Sequence, residues 1–253
     1  GNEAFSGCYE LSFIVLPDAV ESIGENVFNN CLGLRIAVLP NNLLKISNGM
    51  FSDCDNLRYV EIPSTVTIIG NSAFSGCNEL TSVIIPSGVK EIGSRAFTSC
   101  YKITAVEIPD AVVSIGDYAF SDCTGLSEIT IPGTVKSIPE YAFKDCESLE
   151  LVNLSEGLES IDFGAFEGTK VASISVPATV TSLTGAFQRC KSLSSIYFYG
   201  NYPAVMDNWT FRYTADELTV YYIEGKTGWT SPTLVIDEDH VYNTAVFNPS
   251  VIP

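Results

Sequence analysis

The sequence predicts a β-rich solenoid: a right-handed stack of about nine coils of 23 residues, with a parallel sheet, short 3₁₀ or helical turns and a C-terminal cap. Three observations predict it. A phenylalanine recurs at Phe5, Phe28, Phe51, Phe74, Phe97, Phe120, Phe143, Phe166 and Phe187. A cysteine follows three residues later at Cys8, Cys31, Cys54, Cys77, Cys100, Cys123, Cys146 and Cys190, with Thr169 once in its place. An apolar pair two residues apart, such as Val60/Ile62 or Val83/Ile85, keeps the same period and is followed by Pro63 or Pro86.

Within one repeat, Val60 and Ile62 alternate with Tyr59 and Glu61, the period of a half-buried strand. Pro63 ends the strand because proline has no N–H for the ladder. Val66 and Ile69 make a second short inward segment, and Gly70 marks a bend. Residues 71–77 read as one turn of 3₁₀ or α helix with Ala73 and Phe74 inward. No coil can bury its inner face alone, so the core forms only by stacking. The cysteines are one column of that core, small side chains at a tight inward position. Eight buried free thiols are expected, not disulfides.

The pattern Leu-x-x-Val-x-Ile-Pro, then Val-x-x-Ile-Gly, then Ala-Phe-x-x-Cys-x-x-Leu resembles the BspA-type leucine-rich repeat, the Treponema pallidum class, over residues 1 to about 200. The resemblance implies a β-rich leucine-rich-repeat solenoid of a bacterial or protist cell surface. It also implies adhesion or host-protein binding, with no catalytic residues. Residues 1–200 are assigned to the solenoid and 201–253 to a degenerate terminal repeat and cap. Leu218–Gly225 reads as a strand with a turn, and Gly228-Trp229-Thr230 resembles the family's terminal module. Trp209, Phe211, Tyr221 and Trp229 have the bulk to cover the last core face. Two one-residue deletions, before Val171 and Ala186, and the replacement of the bend glycine by Pro139 and Asp162, predict irregular coils and a bend there.

The net charge is −17, from 13 basic and 30 acidic residues. Phosphate-rich partners, nucleic acid and anionic membranes alike, are repelled by such a chain. No apolar run reaches membrane-spanning length, so no membrane insertion is expected. The sequence opens inside a repeat, at Gly1-Asn2-Glu3-Ala4-Phe5, and reads as a fragment whose leader lies outside it.

Function is sought on the outward residues of the strands. On the first three coils these are Phe13, Val15, Ile36, Val38, Tyr59 and Glu61, five of them apolar. An apolar patch of this kind marks contact with a protein partner, and the resemblance implies a host extracellular protein. The competing reading is that upstream sequence, or a second copy in self-association, covers it. Tyr197, Tyr199, Tyr202, Trp209, Tyr213, Tyr221, Tyr222 and Trp229 suit either a sugar-stacking face or a cap core. Asp237-Glu238-Asp239-His240 suits either a hard cation or a solvated loop. Asn208-Trp209-Thr210 and Asn153-Leu154-Ser155 fit a glycosylation pattern that is common by chance. No catalytic, metal-binding or cofactor-binding residue is assigned. The only histidine is His240, and the cysteines are a structural column. The reading is a non-enzymatic interaction scaffold at the cell surface or outside the cell. A spacer or self-associating rod, and a glycan-binding module, are the alternatives.

Overall fold

A computed structural model describes residues 1–237 and 240–251. About ten coils stack into a parallel β-solenoid. The phenylalanine column is its spine. Phe28 stacks on Phe51 at 5.5 Å between ring centroids, Phe74 on Phe97 and Phe97 on Phe120 at 5.2 Å, and Phe166 on Phe187 at 5.6 Å. From Phe28 to Phe187 these rings are fully buried. The stack runs on to Phe211, which lies 6.3 Å from Phe187. Residues past Gly200 therefore add a further coil, in which Val205–Met206 pairs with Ser182–Leu183.

Each coil feeds two short parallel ladders. The front ladder joins Phe13–Val15, Ile36–Val38 and Tyr59–Glu61. It resumes with Glu128–Ile131 beside Leu151–Leu154. A further sheet then pairs Ser173–Val176, Ser195–Phe198, Thr219–Ile223 and His240–Phe247. The back ladder joins Lys45–Ile46, Ile68–Ile69, Glu91–Ile92 and Ser114–Ile115, then Ser137–Ile138, Ser160–Ile161 and Ser182–Leu183. The registers carry Ala37 onto Val60 and Ile46 onto Ile69, so like residues stack and the inward columns are buried. Thr233–Asp237 returns antiparallel along His240–Phe247 at the end of the front sheet.

The turn after the back ladder departs from the expected helical turn. Ser72 and Gly76 are left-handed, as are Asn26 and Asn30 one pair of coils earlier. Such residues aim alternate N–H groups along the solenoid axis instead of back into their own turn. Phe51 donates to Ala73 O at 2.8 Å, Phe74 to Ala96 O at 2.8 Å, and Asp53 to Ser75 O at 2.7 Å. The result is a third backbone ladder. It satisfies donors that a single helical turn would leave orphaned.

The irregularity falls only in part where the sequence suggests. The front ladder breaks between Leu151–Leu154 and Ser173–Val176, the strands that flank the deletion before Val171, while the back ladder keeps its register. The front ladder also lapses in the middle of the most regular repeats. Ser82–Ile85 forms no strand, and Ala105 makes only an isolated bridge to Glu128. Among the described residues no backbone hydrogen bond joins Ser82–Ile85 to Tyr59–Glu61.

Candidate functional site

The outward columns of the first coils form the candidate site. Parallel pairing brings Phe13, Ile36 and Tyr59 into one row and Val15, Val38 and Glu61 into the next. Their strand neighbours Ala37 and Val60 point into the core, so period two leaves the row no choice but solvent. All six sequence-selected side chains are exposed, Phe13 by 65% of its surface. The structure extends the row by one coil, to Ile84 at 85% exposure. Ile84 occupies the outward column of the fourth coil, where the same alternation puts it.

A groove of about 560 Å³ runs beside the second row. One wall is Val15, Val38, Glu61 and Ile84. The other is the turn that follows each strand, carrying Asp18, Asn41, Ser64 and Ser87 past prolines such as Pro63 and Pro86. Asp18 Oδ1 accepts from the Asn41 backbone N–H at 2.9 Å and its Nδ2 at 3.2 Å, which fixes that rim. The lining includes two carboxylates and no cation. The groove was not legible in sequence, because its second wall comes from turns that carry no apolar pattern.

The cysteine column does structural work of a kind the sequence hid. Cys54 Sγ donates to Phe28 O at 3.0 Å, Cys100 to Phe74 O at 3.1 Å and Cys190 to Phe166 O at 2.9 Å. Thr169 fills the column with another short side chain, and its hydroxyl meets Cys190 Sγ at 3.4 Å. All eight thiols are free, but Cys8 is exposed, contrary to the expectation of eight buried ones. Burial pushes the Cys190 thiol up to about 11 and Cys123 to about 12, with Cys77, Cys100 and Cys146 also well above the ordinary value. Thiols so protonated are poor nucleophiles.

The C-terminal aromatics divide between core and surface. Trp229 stacks on Tyr222 at 5.4 Å, lies 4.8 Å from Phe198, and donates its indole N–H to Gly200 O at 3.2 Å. Phe211 joins the phenylalanine spine. Tyr221 and Trp209, expected over the core, lie outside it. Strand alternation turns Tyr222 inward and stacks Tyr221 on Tyr197 at 4.6 Å on the outer face. Trp209 is exposed, with the Arg212 guanidinium 4.1 Å over its ring. Tyr197 and Tyr221 thus cover one another's faces, while Tyr213 stays largely exposed. Of the acidic segment 237–240, Glu238 and Asp239 lie outside the described residues. Among the described residues, no group of three His, Cys, Asp or Glu side chains is placed to hold a metal. No described helix is long and apolar enough to cross a membrane.

Comparison with known proteins places this geometry. The family model for the BspA type leucine rich repeat region matches residues 1–127 and 113–227, with six copies. A leucine-rich repeat protein from Bacteroides ovatus is similar in structure, with 32% identity, a TM-score of 0.79, and coverage of 88% of this chain and 58% of its own. A leucine rich cell surface protein from Faecalibacterium prausnitzii is similar at 30% identity and TM-score 0.55, over 79% of this chain and 62% of its own. A leucine-rich repeat protein from Eubacterium ventriosum, 22% identical with TM-score 0.53 over 84% of this chain and 66% of its own, shares the fold. The chain thus spans about three-fifths of the length of the first two. No curated protein matches it.

Proposed function

The chain belongs to the BspA-type leucine-rich repeat family, and on that premise we propose that it is a protein-binding scaffold displayed at the cell surface or outside the cell. We place its contact on the outward face of the first four coils. Leucine-rich repeat folds generally mediate protein interactions and are typically non-enzymatic. The observation that carries the reading is the continuous row Phe13, Ile36, Tyr59 with Val15, Val38 and Ile84 beside it, large apolar side chains left open to solvent. Isolated exposed apolar residues need no explanation, but a contiguous row of them marks contact. The description of the Faecalibacterium relative as a cell surface protein supports the location. The net charge of −17 favours a partner with a basic surface. An extracellular host protein used for adhesion is the partner class proposed.

The test is binding to an array of extracellular matrix proteins at physiological salt. The native chain runs beside a Phe13→Ser/Ile36→Ser/Tyr59→Ser variant shown to be folded by circular dichroism. A signal lost in the variant supports the reading. A signal that survives unchanged removes the face from it. Sedimentation of the native chain against the variant tests the alternative, a rod that associates with itself through the same face.

A further inference from the structure

We propose that the groove beside this face binds a proline-rich segment of the partner in the polyproline II conformation, lying along the solenoid axis with an arginine or lysine against Glu61 and Asp18. The inference rests on the reading of the chain as a protein-binding scaffold and names the partner's chemistry.

Its first support is the groove's length. The groove crosses four coils, from Val15 to Ile84. At about 4.8 Å per coil that is a length of about 14 Å. A short run of about five residues of polyproline II, at about 3.1 Å each, spans it.

Period supplies the second. Any ligand along the axis meets the same chemistry every coil, about every 4.8 Å, or every second coil at about 9.6 Å. A β-strand presents like-facing residues about every 6.6 Å and drifts out of step. Polyproline II has three residues per turn at about 3.1 Å each, a repeat of about 9.3 Å, and stays in step with alternate coils.

The walls supply the third. Val15, Val38 and Ile84 offer aliphatic surface to pyrrolidine rings. Polyproline II has no internal hydrogen bonds, so its carbonyls seek donors. The opposite rim carries Ser64 and Ser87, exposed, with hydroxyls that make no hydrogen bond among the described residues. Glu61 and Asp18 supply negative charge that no lining cation offsets. Binding a segment already extended costs less ordering entropy than binding a flexible one.

The experiment is fluorescence anisotropy with the full chain and a labelled oligoproline bearing an arginine at each end. A peptide with every proline replaced by glycine, and an amphipathic helical peptide of equal charge, are the comparisons. The proline peptide is expected to bind and the other two to bind at least about tenfold more weakly. Ile84→Asp, at a site exposed enough to leave folding intact, should weaken the proline peptide by about tenfold or more. Glu61→Lys should weaken it and restore binding to a peptide with glutamate ends. Absence of binding, equal binding of the glycine peptide, or indifference to both substitutions overturns the inference. The matrix-protein array decides the broader reading separately, because its signal depends on Phe13, Ile36 and Tyr59 whether or not a proline peptide binds.

Discussion

Replacing Phe97 by alanine tests the solenoid at its spine. Phe97 is fully buried, and its ring stacks on Phe74 and Phe120, each at 5.2 Å and within 8° of parallel. Truncation empties the space between two rigid rings. Those rings are held by backbone bonds from Phe74 N to Ala96 O and from Phe120 N to Ala142 O, both 2.8 Å, so the cavity cannot readily collapse. Phenylalanine-to-alanine changes in such cores cost about 3–5 kcal/mol, and the two lost aromatic pairs place this one toward the upper half of that range. The assay is urea unfolding followed by circular dichroism, with Phe13→Ala as the control. Phe13 is largely exposed, and its loss should change stability by no more than about 0.5 kcal/mol. Because each coil touches only its neighbours, the damage should also split the transition, with the two halves melting at different urea concentrations. A loss below about 1 kcal/mol with one unbroken transition would refute the argument that the ring column carries the fold.

Titration of the native protein with a thiol reagent should modify Cys8 quickly, with the seven buried cysteines reacting only on unfolding. Alkali should destabilise the fold: burial raises folded thiols above their ordinary 9.0, to about 11 for Cys190 and about 12 for Cys123. Unfolded thiols then lose protons first, so stability is full below pH 9 and the urea midpoint falls as pH rises toward the folded values. Cys100→Thr should be milder than Cys100→Val by about 1 kcal/mol, because threonine keeps a donor for Phe74 O and valine does not, and the urea midpoints of the two variants measure the difference. Trp229→Ala should cost about 3 kcal/mol in the same urea assay and Trp209→Ala less than about 1, since one indole is packed on Tyr222 and Phe198 and the other lies on the surface. Amide exchange should be faster at Val83 and Ile85 than at Ile129 and Ile131, whose N–H groups lie within a paired strand.

Most of the fold was legible because stacking repeats each physical demand in every coil. Phe74, Val83 and Ile92 are inward in one repeat for the reason that Phe97, Val106 and Ile115 are inward in the next. The turn was misjudged because its geometry rests on backbone sign at Ser72 and Gly76, and serine gives no warning of a left-handed residue. The cysteine hydrogen bonds were hidden because size alone explains cysteine in a tight inward column well enough. Tyr221 was placed inward on bulk alone, whereas counting alternation from Val220 turns it out and Tyr222 in. The candidate face was legible as a row, Phe13, Ile36 and Tyr59, but the groove was not. Its rim at Asp18 and Ser64 is polar and lies in turns, and only the fold brings it opposite Val15 and Ile84.

The columns that build the solenoid are held by three backbone ladders and leave little room for variation. The front ladder lapses at Ser82–Ile85, and there the coils are joined by the back ladder and the turn alone. Backbone groups left unpaired on that side must find water or another partner. The lapse falls at the end of the apolar row and beside the groove, at Ile84 itself. Here a part of the front sheet that does little to hold the stack together also has unmet contact, polar in the backbone and apolar at Ile84. In a protein whose every coil repeats the same structural chemistry, recognition has to come from such departures, and here two of them coincide.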